Sequence, residues 1–288
     1  MRCHFGKFVN FCLLLVSFIA LATSVAFASA EEDAHALQLE FDMPLVQGGM
    51  VTGHTSATSL FVLGRELELD ESGSFVFGIG RDVQSLSVKL FAATDAAAES
   101  REFPVRSRDY NVQYIEGVDP KYVSPPEDVL RRIREEAALV AEARDQYSSA
   151  KAYQQRFIRP AQGPITGVYG SQRVLNGVAK QPHYGLDIAG PVGTAVIAPA
   201  DGKVVLAHPD MYYSGGTLII DHGRGISSTF IHLSKIYVEP GQSVEQGTRI
   251  ADIGATGRVT GPHLDWRVNW FDQRLDPAFF LPPESAEP

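Results

Sequence analysis

Apolar and polar residues alternate in short runs over most of the chain, and this pattern predicts a mainly β protein. Over residues 36–108 the runs lie about ten residues apart and are separated by turns rich in Gly and Asx, which is typical of a small sandwich. From 160 to 282 Gly, Val, Ile and Thr dominate, with turn signals at similar intervals. The expected architecture is an N-terminal small β-sandwich, a helical connector and a C-terminal antiparallel β domain.

The connector has a helical period instead. Apolar residues recur from Leu130 to Tyr147 at spacings of three, four and seven, which places them on one helix face. The preceding Ser124-Pro125-Pro126-Glu127 has the pattern of a capping box with prolines at the first helical positions. We predict an amphipathic helix from about 125 to 155 within a linker at 109–159. It would pack between the two domains; a helix that binds a partner is the alternative.

The first thirty residues have a different pattern. Arg2 and Lys7 precede an apolar run that ends in Ala28-Ser29-Ala30, and acidic residues follow. A basic start, an apolar centre and a small-residue cleavage site predict a secretory signal peptide at 1–30. An uncleaved N-terminal anchor is the alternative, because the run is nearly long enough to span a bilayer. After cleavage we expect no stable membrane span and an exported, periplasmic protein.

Composition narrows the function classes. The 288 residues are 44 % hydrophobic and 20 % charged, as in a globular protein. The 25 Lys and Arg against 34 Asp and Glu give a net charge of −9, which argues against a nucleic-acid partner. Only two cysteines occur, Cys3 and Cys12, and both fall in the signal peptide. A disulfide scaffold and a Cys-rich zinc module are therefore excluded.

The segment His263-Leu264-Asp265-Trp266-Arg267-Val268 alternates polar with apolar residues and predicts a strand. Residues i and i+2 of a strand project on one face, so His263, Asp265 and Arg267 share a face. An imidazole beside a carboxylate suits a metal site or a proton-transfer site. A surface pair with no chemical role is the alternative.

The other histidines differ in their sequence surroundings, and so in the role that these surroundings predict. His183 precedes Asp187 by four residues, and the composition around Gly185 predicts a turn entering a strand that could bring both side chains to one ion. His232 lies between Ile231 and Leu233 in an apolar strand, where a lone imidazole is usually part of the core. His222 falls at a hairpin corner and is predicted to be structural.

Together these spacings resemble the lysostaphin/LytM-type zinc metallopeptidase family, which carries H-x3-D early, a strand His in the middle and H-x-H late. The resemblance covers about 160–280. Its main stretches are HYGLDIAGPVGTAVIAPADGKVV (183–205), GGTLIIDHGRGISSTFIHLSKIYVEPGQSVEQGTRIADIGATGRVTGPHL (215–264) and Leu275-Asp276-Pro277. The upstream sandwich and helix also resemble, less specifically, the N-terminal part of exported proteobacterial members.

The resemblance implies a role for each matching position. His183 and Asp187 take the first two zinc-ligand positions, and His232 and His263 take those of two imidazoles beside the attacking water. The third ligand of the family is the second His of H-x-H, but this chain has Asp265 there.

Asp265 remains a legitimate zinc ligand, and oxygen-rich ligation also tolerates Mn²⁺ or another divalent ion. Two carboxylates and one imidazole leave Zn²⁺ neutral. We therefore expect a working site with a higher pH optimum or a looser metal preference than in a two-histidine site.

The implied activity is metal-dependent cleavage of peptide bonds in peptidoglycan, with His232 and His263 as the catalytic imidazoles and Tyr184, Asn176 and Arg267 as candidate substrate contacts. Other envelope hydrolases or an activator are further candidate partners. The rival function is that of a catalytically impaired relative that binds the wall and activates other hydrolases. A purely structural exported β protein would leave the His/Asp spacing unexplained.

Overall fold

The computed structural model describes residues 37–93, 99–115 and 127–282. The predicted signal peptide lies outside these residues, as does the predicted capping box up to Pro126. In the part that is described, no helix has both the length and the apolar character needed to cross a membrane.

Two small antiparallel sheets form the N-terminal region. Their strands are β1 (Leu39–Phe41), β2 (Met50–Thr55), β3 (Ser59–Val62), β4 (Arg65–Leu67), β5 (Ser74–Gly78), β6 (Ser85–Phe91) and β7 (Glu99–Pro104). The strand orders are β1-β2-β5 and β4-β3-β6-β7. Burial alternates along β6, as the sequence pattern predicts. The rings of Phe41 and Phe103 meet edge to face at 5.1 Å, which joins β1 to β7 across the core.

The connector contains a strand and a helix. Strand β8 (Val112–Ile115) pairs in parallel with the C-terminal region, and helix α1 spans Glu127–Asp145. The helix ends ten residues before the predicted end near 155, so Tyr147 is not part of its face. The main chain of Ser148 accepts a hydrogen bond from the Arg224 amide at 2.7 Å, and the Ser148 hydroxyl donates to Asp221. These tertiary bonds hold the segment after Asp145 against the C-terminal sheet.

The C-terminal region contains twelve strands and is dominated by one large sheet. The strands are β9 (Ile165–Gly167), β10 (Gln172–Leu175), β11 (Val178–Ala179), β12 (Leu186–Ala189), β13 (Ala195–Ile197), β14 (Gly202–Met211), β15 (Gly215–Gly223), β16 (Ile226–Ile236), β17 (Ser243–Val244), β18 (Arg249–Ile253), β19 (His263–Trp270) and β20 (Gln273–Leu275). The large sheet has ten strands with the main order β17-β14-β15-β16-β19-β12-β9, and β13, β18 and β20 join it at the sides. Strands β10 and β11 form a separate small sheet with β8. Short 3-10 helices cover Ala152–Gln154 and Pro277–Phe280.

The N-terminal sheets and the C-terminal sheet share one hydrophobic core. Phe77 of β5 meets Trp270 of β19 edge to face at 6.4 Å. A Cβ added to Gly78 would lie 2.6 Å from Trp270 and 2.8 Å from Leu275, so only glycine allows this close approach. The result is a mainly β protein with small N-terminal sheets, one helix in the described residues and a large antiparallel sheet, as predicted.

A buried polar chain fixes the centre of the large sheet. The Trp266 indole donates to Ser228 at 3.2 Å, and Ser228 lies 2.8 Å from Nε2 of His222. The other ring nitrogen of His222 lies 2.7 Å from the carbonyl of Asp201. Because a carbonyl only accepts, Nδ1 carries the proton and Nε2 accepts from Ser228. His222 is thus a fully paired structural residue at the end of β15, as predicted.

Candidate metal centre

The candidate site is built on two adjacent central strands. In the antiparallel pair β12 and β19, Asp187 lies directly opposite Asp265, so both carboxylates project from the same face of the sheet. His183 lies in the turn that leads into β12, as the sequence predicted. Two carboxylates facing each other across a strand pair repel, and this arrangement needs a positive charge between them.

His183 supplies the third converging group. One donor atom from each of His183, Asp187 and Asp265 lies within 4.8 Å of the other two. Nε2 of His183 and Oδ1 of Asp187 lie 3.2 Å apart, yet both are buried and neither has a hydrogen-bond partner within the described ranges. Burial by itself would lower the pKa of His183, but Asp187 and Asp265 outweigh burial and raise that pKa. The cluster therefore attracts positive charge.

Two glycines make room for the carboxylates. A Cβ at Gly185 would collide with Oδ1 of Asp265, and a Cβ at Gly167 would collide with Oδ2 of Asp187. Gly185 has an ordinary backbone conformation, so the demand for glycine there is one of space and not of φ. The glycine in the H-x3-D segment thus belongs to the site's architecture.

Asp265 has a permanent cationic partner. The Arg267 guanidinium contacts both Asp265 oxygens, with Nε at 3.0 and 3.1 Å and Nη2 at 2.6 Å. Burial alone would raise the pKa of Asp265, but Arg267 outweighs it and holds the pKa below the ordinary value. Residues i and i+2 share a strand face as predicted, and the guanidinium turns back along β19 onto the carboxylate.

Two more imidazoles, those of His232 and His263, lie beside the three candidate metal ligands. The rings of His232 and His263 have centroids 4.9 Å apart, and Nε2 of His263 lies 3.9 Å from Oδ1 of Asp187. Their Nδ1 atoms lie 2.9 and 2.8 Å from the carbonyls of Thr256 and Gly261, respectively. Each Nδ1 therefore carries a proton, which leaves Nε2 as the acceptor in the neutral ring.

Two further properties of His232 are typical of residues at functional sites. Its backbone adopts φ +67°, a left-handed conformation that costs a non-glycine residue about 1 kcal/mol or more and is often kept at functional sites. Burial, the largest influence, lowers the pKa of the His232 imidazole. A neutral imidazole is able to take up a proton.

The three candidate substrate contacts have different surroundings. The Tyr184 ring lies between the Tyr169 ring, at 6.2 Å, and the Arg274 guanidinium, at 5.7 Å. Asn176 lies in the two-residue turn between β10 and β11 with φ +50°, which suits Asn in a hairpin. Its role in substrate binding stays a prediction. Arg267 contacts Asp265, so it first of all positions a metal-ligand candidate.

Sequence reasoning did not single out Gly167, Arg144 or Arg274. Gly167 reaches Asp187 only through the pairing of β9 with β12. Arg144 and Arg274 lie near Arg267 only in the folded chain, where each responds to its charge. A Gly in a short strand and an Arg on a helix carry no local signal for these positions.

Comparison with known proteins agrees with this geometry. The sequence model of Peptidase family M23 matches residues 181–277. A crystal structure of a putative peptidase M23 from Pseudomonas aeruginosa is 31 % identical, covers 83 % of this chain and 96 % of its own, and superposes with a TM-score of 0.65. The chain therefore belongs to the M23 peptidase family, the lysostaphin/LytM type, which confirms the resemblance seen in the sequence.

Two curated relatives match less than half of this chain. Peptidoglycan DD-endopeptidase ShyB of Vibrio cholerae is 40 % identical over 129 residues, which is 43 % of this chain and 27 % of ShyB. Murein hydrolase activator NlpD of Escherichia coli is 31 % identical over 123 residues, or 43 % of this chain and 30 % of NlpD. The chain thus spans less than a third of either relative.

Proposed function

We propose that the protein is an exported, zinc-dependent endopeptidase that cleaves peptide bonds in peptidoglycan. The observation that carries the proposal is the opposed pair Asp187 and Asp265, joined by His183. Nε2 of His183 and Oδ1 of Asp187 lie 3.2 Å apart, and both atoms are buried without a hydrogen bond in the described chain. ShyB, a peptidoglycan DD-endopeptidase by name, supplies the substrate class. The predicted signal peptide supports a periplasmic location.

The residues present fit a divalent ion. His183, Asp187 and Asp265 would hold it, and a nitrogen with two carboxylates is an accepted zinc donor set. Asp265 is able to serve Arg267 and an ion together because an ionised carboxylate has about four acceptor sites. The glycine cradle at Gly167 and Gly185 leaves the space that these side chains require.

Arg267 changes the charge balance expected from the sequence. A divalent ion bound by one neutral imidazole and two carboxylates forms a centre with no net charge. The Arg267 guanidinium is hydrogen-bonded to one of those carboxylates, so the summed charge of the ion, its ligands and Arg267 is +1. This equals the sum for two imidazoles and one carboxylate. The expected rise in pH optimum is therefore smaller than Asp265 alone would suggest.

The chain's own residues account for the proton transfers and the orientation. When bound, the ion supplies Lewis acidity, which polarises a peptide carbonyl and acidifies a water molecule. His232, neutral and with Nε2 free to accept, would take the proton from the attacking water. His263 is fixed by Gly261 and lies near Asp187, and it would donate toward the oxyanion only in its doubly protonated form, with a second proton on Nε2. The proton that His232 takes from the water would pass on to the leaving amine. Both rings are held by backbone carbonyls, so little reorganisation is needed.

A second function has one observation in its favour. Arg267 already satisfies Asp265, and such a pair can replace a metal ion as the neutralising charge. A site locked in that state would bind wall peptides without cutting them, and the relative NlpD is by name a murein hydrolase activator. The intact His183, Asp187, His232 and His263 favour the enzyme.

The test combines metal content with digestion of purified peptidoglycan sacculi. The protein is purified without chelator, and Asp187→Ala is compared with Asp82→Ala, which removes a carboxylate that is 72 % exposed outside the site. Stoichiometric metal and peptide-specific cleavage in the wild type and in Asp82→Ala, lost in Asp187→Ala, would support the enzyme. A folded wild type that lacks metal and cleavage, but speeds digestion by another hydrolase, would establish the activator.

A further inference from the structure

A cavity of about 630 Å³ lies between helix α1 and the face of the sheet that carries the candidate metal centre. In the β16–β19 pair, Ile231 lies opposite Asp265 and Thr229 lies opposite Arg267. Opposite residues of an antiparallel pair project on one face, and Ile231, Thr229 and Arg267 all line the cavity. The cavity therefore begins one side chain away from a candidate metal ligand.

Three arginines come together on one side of this cavity. Arg144 of α1, Arg267 of β19 and Arg274 of β20 all line it. Arg144 is 8 % exposed and donates from Nη2 to the Thr229 hydroxyl at 2.9 Å. Its Nε, however, is buried with no hydrogen-bond partner in the described chain, and the same is true of Nη1 of Arg274. The buried Arg144 and the half-buried Arg274 thus each have one buried donor atom without a partner in the described chain.

The acidic residues around the cavity do not neutralise these donors. Glu136 pairs with Arg132 and accepts from the Tyr212 amide, and Asp145 pairs with Arg65. Glu142 and Asp272 also line the cavity but are exposed to solvent. The charge of Asp272 partly opposes the lowering of the Arg274 pKa, but Asp272 itself is exposed to solvent. Arg267 already occupies both oxygens of Asp265.

The guanidinium groups of the cluster repel one another. Burial first, and then the charges of Arg274 and Arg267, lower the pKa of Arg144. Burial and Arg267 lower the pKa of Arg274 to about 10. Burying unpaired guanidinium groups side by side costs free energy, and an arriving anion would recover part of that cost.

We propose that Arg144 and Arg274, with Arg267 beside them, form a subsite that binds a free carboxylate of the peptide substrate. Guanidinium groups match carboxylates in geometry and charge, and the unpaired Nε and Nη1 atoms are the donors that such a group would use. Arg267 lies two residues from Asp265, about 7 Å along the strand, so the subsite would lie beside the candidate metal centre. This inference rests on the proposed function.

The test measures equilibrium binding of a peptidoglycan stem tetrapeptide, with its carboxylates free or amidated, by calorimetry on the full-length protein. This peptide has no cross-link to cleave. We expect amidation to weaken binding at least tenfold, which corresponds to about 1.4 kcal/mol. In Arg274→Gln the preference should fall below about threefold, since a buried charge-assisted hydrogen bond is lost. Arg249→Gln removes a charge that is paired with Asp252 outside the cavity and should keep the preference.

Arg144→Gln is a second test variant. Its binding data are used only if its thermal unfolding matches that of the wild type; if it does not, the conclusion rests on Arg274→Gln alone. Equal binding of the free and the amidated peptide by the wild type would overturn the subsite. So would an equal loss of preference in Arg274→Gln and Arg249→Gln, which would indicate general electrostatics. Cleavage of sacculi is assayed separately. If the wild type prefers the free carboxylate but cleaves no sacculi, the subsite is supported and the proposed enzymatic function is wrong. If it cleaves sacculi but shows no preference, the enzymatic function is supported and the subsite is wrong.

Discussion

The Arg267→Met substitution tests whether the metal centre is held together by a protein cation. Arg267 makes three short contacts to Asp265, whose side chain is 4 % exposed and lies opposite Asp187. Methionine keeps much of the aliphatic stem of the side chain and removes the charge. In the metal-free protein two carboxylates would then face each other with only a proton on His183 between them.

The magnitude follows from the burial of the pair. Removing one partner of a buried ion pair typically costs about 3–5 kcal/mol because the remaining charge is left uncompensated. At about 2–4 °C per kcal/mol for a chain of this size, the unfolding midpoint of the metal-free protein should fall by about 6–20 °C. A bound ion supplies the missing charge, so the zinc-loaded variant should lose less. By linkage, its zinc affinity should rise at least about tenfold.

The assay is thermal and chemical unfolding of the wild type and the variant, each with chelator and with saturating zinc, plus a zinc titration with a competing chelator. Arg249→Met serves as the control, because the Arg249 side chain is 52 % exposed and Asp252 keeps a second partner, the Tyr237 hydroxyl at 2.6 Å. We expect this loss to be no more than about 1 kcal/mol. A loss below about 1 kcal/mol in the metal-free variant, or an equal loss with and without zinc, would refute the reasoning.

Three further predictions concern the surroundings of the site. Burial lowers the pKa of His222 to about 4, whereas an unfolded His titrates near 6.5, so the unfolded chain takes up a proton that the folded chain refuses. Stability should thus fall by up to about 3 kcal/mol between pH 7 and pH 4, and His222→Gln should flatten this part of the curve in denaturant titrations. Gly185→Ala should fold but bind zinc at least tenfold more weakly by calorimetry, since its Cβ would collide with Asp265; unchanged affinity would count against the cradle. His232→Gln should retain stoichiometric metal and lose about 10²–10⁴-fold in peptide hydrolysis, so that loss of the metal itself would contradict its assignment as a base.

Local periodicity was enough to predict the strand that carries the site. The alternation from His263 to Val268 predicts both β19 and the shared face of His263, Asp265 and Arg267, because side-chain direction in a strand follows directly from position. The structural role of His222 was also accessible, since a hairpin corner between apolar strands is a local pattern.

Long-range contacts were not accessible in this way. Helix α1 ends at Asp145, and the following Ser148 bonds to Asp221 in β15 and to Arg224 just after it. Nothing in the local sequence signals these contacts. The choice of Asp265 as the partner of Arg267, and the convergence of Arg144 and Arg274, depend on which elements become neighbours. The charge balance at the metal centre could therefore be predicted only after the fold was known.

Because the core is shared, the region that matches the family model depends on the N-terminal sheets for its packing. The family match ends at residue 277 and begins at 181, yet within that stretch Trp270 and Leu275 are covered by Phe77 and Gly78, which precede it by about a hundred residues. A fragment cut at the family boundaries would expose this apolar surface and would tend to self-associate. A recombination event or a fusion that moved the fragment into another protein would have to bring its own covering layer. The N-terminal sheets therefore cannot be exchanged without repacking β19, the strand that also carries His263 and Asp265.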